Sequence, residues 1–220
     1  KGSNLYFAKA NIRAGETFAS NRSLASDTCV CCRIATDVNQ QGELAIFWRH
    51  IYGDNIREFA LLTLSKEKDA NNAPVQISHD HWQINGCPHQ GGGISIDSDN
   101  RYHLVWFNLG DQGKGIFYAA TEDQGRSTTQ PLAIGDVSKQ AAHPHIKQNN
   151  GVVDIVWTQF NGHQHQLWHQ VSRDNGQTFL PAKQLAVSTT GADRPFIIAA
   201  QGKNYVSWQR PKTGHVIQAL

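Results

Sequence analysis

The sequence predicts an all-β fold, a propeller of four-stranded blades. Three observations predict it. An eight-residue turn pattern recurs, four tryptophans keep a matching interval, and short strands rich in β-branched and aromatic residues alternate with Gly, Asn and Asp turns while no stretch sustains helical periodicity. The clearest copy of the turn is Ser172-Arg173-Asp174-Asn175-Gly176-Gln177-Thr178-Phe179, of the form Ser-x-Asp-x-Gly-x-Thr-Phe. Weaker copies hold Thr121, Asp123, Gly125 and Ser127, and Asn11, Gly15, Thr17 and Phe18. The octet has the chemistry of a tight hairpin turn. Asp174 can accept from backbone N–H groups two or so residues on, Gly176 supplies a positive φ cheaply, and the hydroxyls of Ser172 and Thr178 tie down the flanks. Phe179 then opens the next strand and reaches into the core.

Trp48, Trp106, Trp157 and Trp208 end the most hydrophobic strand of successive units and lie 58, 51 and 51 residues apart. Gly125 follows Trp106 by 19 residues and Gly176 follows Trp157 by 19, so two independent landmarks share one period. The same offset from Trp48 lands on Glu67, where the pattern has decayed but a turn is expected. In the best-defined unit the four strands, a to d from the inside out, fall at 145–148, 152–159, 166–171 and 182–186. A four-stranded unit repeated about every fifty residues is a propeller blade. Whole blades are expected over 29–77, 85–134 and 141–187, with a partial blade over 4–25 (strands c and d) and another over 192–220 (strands a, b and c). The two partial blades either complete one blade between them or are torn edges. The whole is read as a single propeller domain, 1–220, of four to five blades.

With 220 residues, 39% of them hydrophobic, the chain can bury a sizeable core. A formal net charge of +2, 17% charged residues and scattered Lys and Arg give no nucleic-acid footprint, and no apolar run reaches membrane-spanning length. Lys1-Gly2-Ser3 begins without an initiator Met or the charged start and apolar stretch of a signal peptide, so either a leader has been removed or the chain starts within a larger protein. Of four cysteines, three are packed as Cys29-Val30-Cys31-Cys32 and Cys87 stands apart. An even count suits an oxidising compartment, periplasm or cell exterior, but spacing does not choose among the pairings.

The octet resembles the Asp-box, or BNR repeat, of sialidase-like β-propellers, in which the box is a structural turn on the outer part of each blade, remote from the active site. Four further segments are similar to a bacterial subgroup of BNR-repeat, sialidase-family proteins: Asp27-Thr28-Cys29-Val30-Cys31-Cys32-Arg33, Asn55-Ile56-Arg57-Glu58, Asp80-His81-Trp82-Gln83-Ile84-Asn85-Gly86-Cys87-Pro88-His89, and Gly91-Gly92-Gly93. The resemblance implies a secreted or periplasmic bacterial propeller of unassigned role. It also implies a six-bladed parent, against which this chain reads as a partial propeller.

Strand order places the candidate chemistry. Connections d→a and b→c emerge on one face of the disc, and a→b and c→d, with the octet turns, on the other. The a strands line the central channel, so Cys29, Cys31, Cys32, Arg33, Cys87, His89, His143, His145 and Arg194 are expected to ring its mouth, where ligand sites concentrate. The cysteines have three readings: a staple between blades, for example Cys32 with Cys87; a copper or zinc site using Cys29, Cys31, Cys32, Cys87 and His89; or redox chemistry. Their spacing matches no standard zinc motif.

Arg33, Arg49, Arg57 and Arg194 invite comparison with sialidases, in which three arginines clamp a substrate carboxylate. Arg33-Ile34 is similar to the arginine-isoleucine-proline signature of that family, but Ala35 stands where proline should be. Arg33, Arg49 and Arg194 are therefore candidates for a catalytic cluster, against a reading in which each arginine pairs with a nearby acid or caps a strand. A sialidase also needs a tyrosine nucleophile beside a carboxylate; Tyr52 is on the correct face in a b→c loop, but nothing marks Glu58 as its partner, and the sequence assembles no such nucleophile. Trp82, His89, His143 and His145 are candidate ligand-binding residues, with Trp82 either stacking on a glycan or plugging the space between blades. His163, His165 and His169 alternate into a c strand and read as loop histidines. Three functions follow as expectations: a ligand- or metal-binding module, a sialidase-type hydrolase, or a structural interaction disc. Unpaired strand edges at the two ends predict self-association.

Overall fold

A computed structural model describes residues 2–11, 13, 15–65, 73–212 and 214–220. Among these residues, seventeen strands run in chain order: β1 (Ser3–Phe7), β2 (Arg22–Thr28), β3 (Ala35–Val38), β4 (Leu44–Tyr52), β5 (Ile56–Leu64), β6 (Val75–Gln76), β7 (Gly93–Ile96), β8 (Tyr102–Leu109), β9 (Lys114–Thr121), β10 (Leu132–Ile134), β11 (Ala142–Asn149), β12 (Val152–Phe160), β13 (His165–Ser172), β14 (Lys183–Ser188), β15 (Phe196–Ala200), β16 (Lys203–Arg210) and β17 (Gly214–Ala219). They form antiparallel sheets in the orders β3-β4-β5-β6, β7-β8-β9-β10, β11-β12-β13-β14 and β15-β16-β17. The hairpin β1-β2 joins the first sheet through the pair Thr28 and His50. The first strands of successive sheets, β3, β7, β11 and β15, pack side by side, which puts them nearest the axis and makes the fold a β-propeller. The turn expected at Glu67 lies outside the described residues.

The tryptophan period has a packing cause. Trp48, Trp106, Trp157 and Trp208 each sit in the second strand of a sheet, and none is more than 1% exposed. Trp106 packs on Phe47, Phe59 and Leu61, Trp157 on Phe107 and Tyr118, and Trp208 on Val156 and Leu167, each in the sheet before its own, while Trp48 packs on Leu5 of the hairpin joined to its own sheet. Middle strands are therefore covered on both faces, which is why β8 is buried from Tyr102 to Asn108 instead of alternating. An aromatic side chain buries about 150–250 Å², so at about 25 cal/mol per Å² these four are the main apolar joints between layers. Gly92 allows the inner strands to close up, because a Cβ there would lie 2.6 Å from the Phe47 ring and 2.9 Å from the Val105 carbonyl oxygen.

The octet turns are built alike. The Ser172 hydroxyl donates to Asp174 (2.7 Å) and accepts from the Gly176 N–H (2.8 Å), while Asp174 accepts from the Thr178 N–H (2.8 Å) and hydroxyl (2.5 Å). Thr121, Asp123, Gly125 and Ser127 repeat the pattern, with 2.8 Å from Thr121 to Asp123 and 2.9 Å from the Gly125 N–H to Thr121. These bonds hold both carboxyls down at about 2, led by the Thr178 hydroxyl on Asp174 and the Ser127 hydroxyl on Asp123. Both turns also dock on the preceding sheet. Asn175 donates to Asp97 (2.7 Å), Gly176 abuts Tyr118 and His103, Phe179 meets the Tyr118 ring edge-on at 4.9 Å, and Gly125 abuts Ile77 and Leu61.

Candidate functional site

The expected ring at the channel mouth resolves into two clusters joined by one residue, Gln90. In the first, the turn Cys29–Cys32 is anchored by the Cys29 N–H on the Arg49 carbonyl (3.0 Å) and closed by the Cys32 N–H on the Cys29 carbonyl (3.3 Å). The closure gathers three sulfurs: Cys29 to Cys31 is 3.7 Å, Cys29 to Cys32 is 3.5 Å and Cys31 to Cys32 is 4.0 Å. Cys31 forms a disulfide with Cys87, with Cα atoms 5.9 Å apart, and Cys29 and Cys32 are free and buried. This corrects the expected Cys32–Cys87 pairing. Cys32 instead points inward beside Cys29, and the turn leaves Cys31, half-exposed, to meet the exposed Cys87. The Cys29 thiol is lowered to about 6, first by the Cys32 thiol bonded to it and then by Arg57 and Arg49, whereas Cys32 is pushed up by the same bond and by burial. Two donor groups could hold a metal ion here, Cys29 with Cys31 and Cys32, and Cys31 with Cys87 and the exposed His89, each within 4.8 Å.

The second cluster lies where β11 begins. A cavity of about 430 Å³ is lined by Gln90, His143, Thr158, His165, Asp193 and Arg194, among others. His143 holds a positive φ of 56°, and its backbone N–H donates to the Gln90 side chain (3.2 Å). Among the described residues its buried Nδ1 has no hydrogen-bond partner. Burial lowers His143 to about 4, and Arg194 and Arg33 lower it further while Asp193 opposes them. Arg33 donates to the Gly92 (3.1 Å) and Pro144 (2.9 Å) carbonyls, and its guanidinium is depressed by burial and by Arg194. Arg33 and Arg194 thus form a cationic pair at the mouth, beside a His143 that is neutral near pH 7.

His145 is brought near but serves packing. Its Nδ1 accepts the Ile197 N–H (3.2 Å), its ring lies 4.0 Å from that of Phe196, and burial lowers it to about 3.

Two expected site residues belong to the core. Arg49 is 0% exposed and directs its five N–H groups at the carbonyls of Arg57 (3.1 Å), Phe107 (2.5 Å) and Gln90 (3.2 and 3.1 Å) and at the Asn108 side chain (2.5 Å). With every donor engaged it has nothing to offer a substrate carboxylate, so the three-arginine cluster loses it. Trp82 is 8% exposed, lying beneath the Arg49 guanidinium (4.8 Å) and edge-on to Phe107 (5.8 Å). It plugs the space between sheets and presents no face to a sugar.

Neither member of the tyrosine–carboxylate pair is poised for nucleophilic attack. Glu58 is buried and accepts from the Ser78 hydroxyl, the His81 N–H (2.6 Å), the Trp82 N–H (3.4 Å) and Asn108 (2.8 Å), which makes it the anchor of residues 78–82. Burial, then Glu58, raises Tyr52 to about 12. His169, expected as a loop histidine, is buried against Asp154 at 2.7 Å. Gln90 was not anticipated. Its carbonyl holds Arg49, its N–H faces Cys32 and its side chain holds His143. The only signal in the sequence is its position between Cys-Pro-His and the glycine run.

No protein-family model matches the chain, and no curated protein sequence matches it. Solved structures do resemble it. A protein of unknown function from Dyadobacter fermentans superposes with a TM-score of 0.61 at 12% identity, covering 99% of this chain and 68% of that one. A Hadza microbial sialidase gives 0.58 at 10% identity over 85% of this chain and 43% of its own, so the chain spans less than half that sialidase. An exo-1,5-alpha-L-arabinanase from a bovine ruminal metagenomic library gives 0.54 at 11% identity, covering 93% and 83%. At these identities the likeness is one of fold, the propeller shared by sialidases and arabinanases. No helix among the described residues is long and apolar enough to cross a membrane.

Proposed function

We propose that the chain is a secreted or periplasmic BNR-repeat propeller of sialidase-like type that binds a carboxylate-bearing glycan at its channel mouth. The observation that carries this reading is the cavity with Arg33, His143 and Arg194 grouped beside it. Two cations with no facing carboxylate except Asp193, and a buried imidazole nitrogen without a partner, call for an anionic, hydrogen-bonding ligand. The glycan-acting enzymes among the structural neighbours support a sugar as that ligand, and the disulfide supports an oxidising compartment. Binding is favoured over hydrolysis because Arg49 is fully engaged in the core and Glu58 and Tyr52 are held in structural roles.

The test is titration calorimetry with N-acetylneuraminic acid, its methyl ester and neutral arabinose. The acid is expected to bind, the ester to bind at least about tenfold more weakly, a difference of about 1.4 kcal/mol, and Arg194→Ala to lose the acid. Equal affinity for acid and ester, or an Arg194→Ala protein that binds as the parent does, overturns the reading.

A further inference from the structure

The three sulfurs of the Cys29–Cys32 turn form a nearly equilateral triangle with sides of 3.5, 3.7 and 4.0 Å. A tetrahedral thiolate site with metal–sulfur bonds of about 2.3 Å has edges of about 3.8 Å. An ion about 2.3 Å from all three sulfurs would sit about 0.8 Å out of their plane, where a tetrahedral centre belongs, and a flatter three-coordinate ion needs only a small shift. Hydrogen bonding alone does not require this arrangement, since two thiols suffice for one bond.

Cys87 and His89 form a separate group with Cys31, within 4.8 Å of one another, that does not include Cys29 or Cys32. The negative charge of several thiolates has nearby compensation, because Arg57 and Arg49 both act on Cys29 electrostatically. The backbone N–H of Gln90 faces Cys32, as second-sphere donors do at thiolate centres. Soft sulfur donors without carboxylates select thiophilic d10 cations, zinc(II) or copper(I), over calcium, magnesium or manganese.

We infer that Cys29, Cys31 and Cys32 constitute a metal site for a thiophilic d10 cation, and that the Cys31–Cys87 disulfide is the closed form of that site. Opening it requires a dithiol reductant. Two electrons and two protons convert the disulfide to two thiols while the reductant becomes a disulfide, and the metal then displaces protons from the coordinating thiols. The site shares Gln90 with the glycan pocket, but its ligands are distinct and the assignment does not depend on that reading.

The experiment uses the purified chain under anaerobic conditions in oxidised form and after reduction with excess dithiothreitol that is then removed. Zinc is followed by competition with a chromophoric chelator and copper(I) by competition with a bicinchoninate-type ligand. Reduced protein is expected to take up one equivalent of at least one of the two ions, and oxidised protein none. Cys87→Ser, which leaves Cys31 permanently free, is expected to bind without prior reduction. Cys29→Ser is expected to lose the ion even when reduced, while retaining its Cys31–Cys87 disulfide by mass spectrometry as evidence of folding. Which ion binds identifies the metal. Failure of both ions with reduced parent and with folded Cys87→Ser, or a Cys29→Ser protein that binds as the parent does, overturns the assignment.

Discussion

Arg49 is the residue whose replacement most sharply separates a core role from a ligand role. Arg49→Met keeps most of the apolar length that packs on Phe59 and Trp82 but removes every donor from four acceptors, the carbonyls of Arg57, Gln90 and Phe107 and the Asn108 side chain. A buried acceptor left without its partner costs about 1–3 kcal/mol, so four such losses reach about 4–12 kcal/mol at face value. Relief of the guanidinium's own desolvation, several kcal/mol, works the other way, and removal of one member of a buried charged network nets about 3–5 kcal/mol. Urea unfolding followed by tryptophan fluorescence measures it. With a slope of about 3 kcal/mol per molar for a chain of this size, the midpoint is expected to fall by about 1–1.7 M. Arg49→Lys, which restores three donors of different geometry, should fall in between. A midpoint shift below about 0.3 M at unchanged slope would show that the network contributes little, and Arg49 would return to consideration as a ligand residue.

His145 ties stability to pH. Its folded value, about 3, lies below the ordinary 6.5 because of burial first and Arg33 second. The stability it contributes is complete above pH 6.5 and is lost as pH falls from there toward 3, amounting to about 2 kcal/mol between pH 7 and 5. His145→Gln should flatten that part of the profile in thermal unfolding, and an unchanged slope would contradict the assignment. Asp123 and Asp174, held near 2, add a further loss confined to the window from about pH 4 down to 2. Gly176→Ala sets a side chain at a φ of +81° against Tyr118, and Gly151→Ala meets the same kind of strain at +78° with open space around it. The first should cost about 2–4 kcal/mol and the second about 1–2 in chemical denaturation, and equal losses would mean that the contact with Tyr118 is unimportant. The exposed edge of β17 predicts concentration-dependent self-association, read by light scattering; a monomer at all concentrations would contradict it.

The fold was legible because two landmarks repeat for physical reasons, a tryptophan that seals one layer to another and a turn that needs glycine at positive φ. The site was legible only to the level of the disc's face. Strand order brings Arg33, His143 and Arg194 to one end, but it does not say where a side chain points within a strand covered on both sides. Arg49 follows the buried Trp48 in β4, and with both faces covered its guanidinium has only the interior to occupy. Trp82 was left open between stacking on a glycan and plugging the space between blades, and the plug holds because Glu58 draws the backbone of that connection inward. The choice between Cys31 and Cys32 as partner of Cys87 depends on the direction of two adjacent side chains at a turn, which spacing does not encode.

The octet turns bear on how such a chain could have lengthened. Gly176 and Asn175 fit against Tyr118, His103 and Asp97 of the unit before, and Gly125 fits against Ile77 and Leu61 of the unit before that. Every unit so equipped carries a plug on one side and, on the other, the socket for its successor's plug. A tandem duplication of one unit therefore arrives with a matching joint already in place, and divergence can then act on the channel-facing connections without reopening the seams.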